Sequence, residues 1–308
     1  MPTPGLAFAT PRKLPRPADV HGRVVVLDVA FASEASGGGF EKLTKPFIDG
    51  LGTRLAAWID HHDHVLHAKY SKDPRFVLAT KAEHGACPEM VTPELVARVG
   101  HVDTIVCHTD FDGLCSAAKW MCDGREPYAG ADDDARAIDT RIGKPSAIAD
   151  RIDRAIRARP RDAALLGLIV RHLASGLRDP SLWAAIDEAG SKLVALEAEA
   201  RRVAERYRRL ELSGVAGPKT AAFVEASEWH GRYDKTLLLL LGQERADVAA
   251  VVDRDTITFA APFDSGVNFL KLLGLSGGMP TLVSIPKTGL VDALRRLGVG
   301  DDDLMKLA

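Results

Sequence analysis

Three short segments concentrate the side chains that bind metal ions or move protons: "VVVLD", ending at Asp28; "WIDHHDH", spanning 58–64; and "HTDFDG", spanning 108–113. Carboxylates gathered at one place repel one another and raise each other's pKa unless cations neutralise them, and bound metal is the simplest remedy. Carboxylates mixed with two or three imidazoles suit Mn²⁺ better than a thiolate-rich zinc site, with Mg²⁺ or Co²⁺ as substitutes. A ligand set of this size suits two ions about 3.5–4 Å apart, bridged by a carboxylate, with a shared water as nucleophile. That chemistry is phosphoester hydrolysis.

The elements around these segments bring them together. "RVVVLDVAF" (23–31), "RLAAWID" (54–60), "RFVLAT" (75–80) and "DTIVCHTD" (103–110) are apolar runs of strand length, separated by helical stretches such as "GFEKLTKPFIDGLG" and "CPEMVTPELVARVG". Pro88 and Pro93 fit the first turns of helices. Strands that are apolar throughout and alternate with helices predict an α/β fold with a parallel sheet covered on both faces. Three of the four runs end in ligand-type residues, and open parallel sheets place ligands along the carboxyl edge of their strands. If the backbone stays extended through 108–112, His108, Asp110 and Asp112 share a face, and Gly113 then permits a tight turn into "LCSAAKWM".

Beyond about residue 145 the apolar spacing becomes helical through "PSAIADRIDRAIRA", "RDAALLGLIVRHLASG" and a long charged stretch, "PSLWAAIDEAGSKLVALEAEARRVAERYRRL", which reads as a solvated connecting helix. After "SGVAGPKT" a strand-rich pattern returns, and "DVAAVVDRDTITFAAP" predicts a hairpin around an Asp-Arg-Asp turn. The expected organisation is a metal-binding phosphoesterase domain over 1–144, a helical connector over 145–214 and a smaller α/β substrate-binding domain over 215–308.

A net charge of −2 gives no footprint for duplex nucleic acid, which leaves small or single-stranded anions. The opening "MPTPGLAFATPRKLPRP" has no continuous apolar core and reads as a loose arm rather than a signal peptide. No apolar run is long enough to span a bilayer, so a cytoplasmic location without a membrane partner is expected. Cys87, Cys107, Cys115 and Cys122 form no C-x-x-C pair and fit reduced core thiols. Taken singly, each segment also has a plainer reading: Asp28 as a helix cap, "HTDFDG" as an Asx turn or calcium-type loop, "DHH" as a satisfied polar cluster. Their joint placement at strand ends favours a ligand set. His64 and His67 read as surface residues or supports behind the ligands. "SGGGF" lacks the Lys-Ser/Thr of a P-loop and reads as a flexible loop.

The "IDHH" at 59–62, "LDVAF" at 27–31 and "HTDFDGLCSA" at 108–117 resemble the signature segments of the DHH phosphoesterase superfamily, closest to its oligoribonuclease (nanoRNase) branch. The resemblance implies a dinuclear Mn²⁺ site, with His108 and Asp110 on one ion, Asp112 and His61 on the other and Asp28 bridging. It further implies that Asp60 orients a ligand, that His62 faces the substrate phosphate, and that "SGGMP" (276–280) stands where the family has its glycine-rich substrate motif, with the N–H groups of Gly277 and Gly278 as phosphate donors. The sequence departs from the family in three respects. The His-x-Asp-x-Asp segment follows DHH instead of preceding it, as in a circular permutation. No Asp follows DHH in "LATKAEHGACPEMV", which leaves Glu83, His84 or, from elsewhere, Asp139 as the missing ligand. Met279 stands where the family usually has His.

The expected activity is metal-dependent hydrolysis of short single-stranded oligonucleotides, nucleotides or another small phosphorylated substrate, with a homodimer as the candidate assembly. The alternatives are an inorganic pyrophosphatase or exopolyphosphatase, and a non-catalytic nucleotide- or phosphate-binding protein. Lys287 is the one basic residue near "SGGMP", too little positive charge for a pyrophosphate site, which favours a nucleotide substrate whose bases can stack.

Overall fold

The computed structural model describes residues 3–213 and 219–307. The chain divides into two compact units: residues up to Ala32 with Gly38–Leu193, and Ser33–Gly37 with Val194 onward. The expected boundary at 214/215 falls outside the described residues.

In the first unit five strands, β1 (Gly5–Ala9), β2 (Val24–Leu27), β3 (Leu55–Asp60), β4 (Phe76–Leu78) and β5 (Thr104–His108), form one sheet in the order β1-β5-β2-β3-β4. All four pairings are parallel. The expected α/β architecture is thus present, and its strands occupy the four predicted apolar runs. β1 is a correction to the reading of the N-terminus as a loose arm: Gly5–Ala9 pairs in register with Thr104–His108, and a short apolar stretch at a sheet edge needs only one neighbour to satisfy its backbone.

Because side chains alternate across a strand, Val25, Leu27, Ala57, Ile59, Ile105 and Cys107 enter one core, while Val24, Val26, Trp58 and Val106 enter the other with Phe31, Phe40 and Phe47. Leu55 joins that second core where a register shift interrupts the alternation. Val24, Val25, Val26 and Leu27 are all fully buried, as a central parallel strand covered on both faces requires. The first core is closed by α1 (Pro93–Val99), α2 (Phe111–Met121), α3 (Ala131–Thr140), α4 (Ala147–Ala158), α5 (Ala163–Ala174) and α6 (Leu182–Ser191). Thr92 caps α1 through Leu95 N, with Pro93 in its first turn. The long charged stretch is not one helix. α6 ends at Ser191 and α7 (Leu193–Ala204) follows, and the terminal "RRL" is drawn into a strand.

The second unit is a mixed five-stranded sheet. Its strands are β6 (Arg208–Glu211), β7 (Thr220–Glu225), β8 (Val248–Asp253), β9 (Thr256–Ala260) and β10 (Leu282–Pro286), ordered β10-β9-β8-β7-β6. β7 and β8 pair in parallel across the helix α8 (Lys235–Gln243), and the other pairings are antiparallel. The predicted hairpin is β8–β9, with Asp253 opposite Thr256 and Arg254 at φ 52° in its turn. Among the described residues no helix is long and apolar enough to cross a membrane.

Candidate metal centre

The register of three adjacent strands sets the site. Leu27 lies opposite Ile59 on one side and Cys107 on the other, so the next residues of each chain, Asp28, Asp60 and His108, emerge together at the carboxyl edge. Asp28 leaves β2 at φ 59°, a left-handed conformation that Asp tolerates better than most residues, while its N–H donates to Ile59 O at 2.9 Å. Its side chain is fully buried, and among the described residues neither carboxylate oxygen has an aligned hydrogen-bond donor. Around it stand His61 Nε2 at 3.2 Å, His108 Nδ1 at 3.6 Å and His62 Nδ1 at 3.8 Å. Burial opposes the charge on Asp28, but His108 and His61 outweigh it and hold the carboxyl well below its ordinary value. A buried carboxylate ringed by ring nitrogens and lacking aligned donors fits a cation.

His108 Nδ1 lies 2.6 Å from Asp110 Oδ2. Asp110 caps α2, accepting from Gly113 N at 3.2 Å. Asp112 therefore does not continue an extended strand, as the sequence alternation suggested: the helix begins at Phe111, and Asp112 reaches the site from its first turn. There it accepts from Cys87 N at 3.3 Å and lies 3.3 Å from His61 Nε2. Burial, with Asp28 and Asp110 nearby, pushes Asp112 up to about 6. Gly113 also differs from expectation, since it lies within the first turn of the helix and not in a tight turn before it. A Cβ on it would stand 2.8 Å from both His108 Cβ and His108 O, so glycine lets the helix start close against the strand end.

Asp60 is buried, and His62 Nδ1 donates to its Oδ1 at 2.8 Å. Burial opposes its charge, but His62 outweighs this and lowers its pKa. His61 Nδ1 donates to the carbonyl of His84 at 2.9 Å. That is the role of His84 here, because its own ring faces Glu89 Oε2 at 3.3 Å. Glu83 folds onto its own loop, accepting from Thr80 N and Oγ1 at 2.8 and 2.9 Å. Asp139, near the end of α3, does reach the cluster, 4.0 Å from His61 Nε2. His64 is buried, so a surface position is corrected. Both His64 and His67 pack on Phe31, and His67 Nε2 lies 3.9 Å from Asp60.

Among the described residues three groups have ligand atoms close enough to share an ion: Asp28, His61 and His62; Asp28, His108 and Asp110; and His61, Asp112 and Asp139. The sequence reading missed Lys81. It is 3% exposed, its Nζ lies 2.8 Å from His61 Nε2, and it donates to Asp139. It follows β4 on the edge that carries the ligands, and extending the strand-end logic to basic residues would have found it. Burial opposes its charge, but Asp139, Asp112 and Asp28 keep the ammonium above its ordinary value. Cys87, Cys107 and Cys115 are buried free thiols, pushed up in pKa by burial, consistent with core packing.

In the second unit Gly277–Gly278 is a short extended stretch, with Gly278 at φ 129°, which L side chains rarely adopt. Met279 bridges to Leu282.

No family model matches the sequence, and no curated protein matches it. A search of solved structures returns exonuclease RecJ bound to manganese, at 14% identity and a TM-score of 0.32, covering 61% of this chain and 47% of that one. At that level of likeness, function has to be argued from the site itself.

Proposed function

We propose that this protein is a metal-dependent phosphoesterase of the DHH type, with the motif order permuted along the chain, acting on short single-stranded oligonucleotides or nucleotides. The observation that carries the reading is the convergence on buried Asp28 of His61, His62 and His108 from the neighbouring strand ends. A site built for structure alone would satisfy a buried carboxylate with aligned donors.

Asp28, His108 and Asp110 would hold a divalent ion, Mn²⁺ by donor type. Such an ion polarises a phosphoryl oxygen and makes a bound water acidic enough to attack at neutral pH. Asp60 accepts the Nδ1 proton of His62 and so holds its ring, and the doubly protonated ring would donate its Nε2 proton to a substrate phosphoryl oxygen. His62 is partly exposed while Asp60 and His61 are fully buried, which divides substrate contact from support. The N–H groups of Gly277 and Gly278 would bind phosphate.

The test is hydrolysis of bis-p-nitrophenyl phosphate and of a short fluorescent oligoribonucleotide, in EDTA or Mn²⁺, by wild type and Asp110→Ala. Turnover that needs Mn²⁺ and is lost in the variant supports the reading, and product lengths define the substrate. Metal and nucleotide binding without turnover would instead assign a binding protein.

A further inference from the structure

We infer that the Lys81 ammonium takes the second cation's place, so that the protein holds one divalent ion, on Asp28, His108 and Asp110, and not two. The inference rests on the metal-centre reading above.

The group that would hold a second ion is His61, Asp112 and Asp139. His61 Nδ1 is committed to the His84 carbonyl, so Nε2 carries the lone pair a metal would need. Lys81 Nζ lies 2.8 Å from that nitrogen and donates to Asp139 as well. Two of the three donors are therefore engaged by a positive charge tethered to the backbone. With Lys81 buried, an entering ion would have to break a buried, charge-paired ammonium away from its partners.

The first group is different. Its His108 Nδ1 and Asp110 Oδ2 pair with each other and not with a lysine, Asp28 has no aligned donor on either oxygen among the described residues, and the Asp110 side chain is 44% exposed, which gives an ion a route in. Asp28, Asp60 and Asp112 are buried beside the partly exposed Asp139, and Lys81 places a positive charge among them at a fixed point.

The experiment counts ions. The full-length chain is stripped with EDTA and titrated with Mn²⁺, bound metal being measured by equilibrium dialysis and its electron paramagnetic resonance recorded. The expected wild-type result is one Mn²⁺ per chain with the hyperfine pattern of an isolated ion. Lys81→Ala, checked for folding by circular dichroism, is expected to take up two, with the spectrum of an exchange-coupled pair. Asp139→Asn is expected to keep one ion at an affinity within about twofold of wild type. Two coupled ions in the wild type would overturn the inference and leave the metal centre standing. So would a folded Lys81→Ala that still binds one ion, or a more than tenfold loss of affinity in Asp139→Asn. Should Lys81→Ala not fold, the wild-type count and Asp139→Asn decide. No bound Mn²⁺ in the wild type would overturn the metal-centre reading itself.

Discussion

Replacing Gly113 by Ala would push a methyl group into the seam between β5 and α2. The new Cβ would stand 2.8 Å from His108 Cβ and O and 2.9 Å from its carbonyl carbon, where carbon contacts settle at about 3.5–4.0 Å. The strand end and the helix start must therefore separate by roughly 0.7 Å or more. Overpacking of that kind costs about 1–3 kcal/mol, and the better helix propensity of Ala returns at most about 1 kcal/mol. The net expectation is a loss of about 1–2 kcal/mol. Because the displaced residue is His108, which faces Asp28 and pairs with Asp110, Mn²⁺ affinity should fall by about tenfold or more. Gly190→Ala is the control. It lies in α6, where a Cβ would meet nothing nearer than 3.7 Å, so it should be neutral or stabilising by up to about 1 kcal/mol. Urea unfolding followed by tryptophan fluorescence, with Mn²⁺ titration of the same samples, measures both. A Gly113→Ala protein with wild-type stability and wild-type Mn²⁺ affinity would refute the close-approach argument.

Asp28→Asn keeps a residue that accepts the left-handed backbone at φ 59°. It should fold as wild type yet bind Mn²⁺ at least about 100-fold more weakly; unchanged binding by calorimetry would remove Asp28 from the ligand set. His172 in α5 is fully buried, packs edge-on against Trp183 with centroids 4.8 Å apart, and has no hydrogen-bond partner at either nitrogen among the described residues. Burial lowers its pKa, so the folded state takes up its proton less readily than the unfolded chain. This contribution to stability is full above the unfolded value of about 6.5 and declines as pH falls below it. Wild type should therefore lose more stability than His172→Phe between about pH 7 and pH 5.5, and parallel pH profiles would contradict this. Of the four cysteines, Cys87, Cys107 and Cys115 are buried and Cys122 is not. A thiol reagent should accordingly label Cys122 first in the native protein and all four in urea, with fast labelling of Cys87 counting against the core packing.

Much of the sheet was legible in the sequence because a buried parallel strand is apolar on both faces, and "RVVVLD" and "DTIVCH" are. The convergence of Asp28, His61 and His108 followed from strand ends sharing one edge, which needs no knowledge of loops. Other features depend on tertiary contacts that no local pattern encodes. Gly5–Ala9 becomes a strand only because β5 offers an open edge. The alternation through 108–112 failed because Asp110 caps a helix, and a cap and a strand end look alike in one dimension. Asp139 stands 111 positions from Asp28 in sequence, and only the folding of α3 brings it near. A lysine in a loop reads as solvated, so Lys81 was passed over, although its place just after a strand end on the ligand-bearing edge was a signal; its burial among carboxylates is a tertiary fact.

The most direct test of the account is a crystal structure of the protein grown with MnCl₂, with anomalous data collected near the manganese edge. The expected map has an anomalous peak within ligand distance of Asp28, His108 and Asp110, and Lys81 Nζ still between His61 and Asp139. A protein crystallised at saturating Mn²⁺ with no peak at Asp28 would contradict the metal centre and the hydrolytic function built on it.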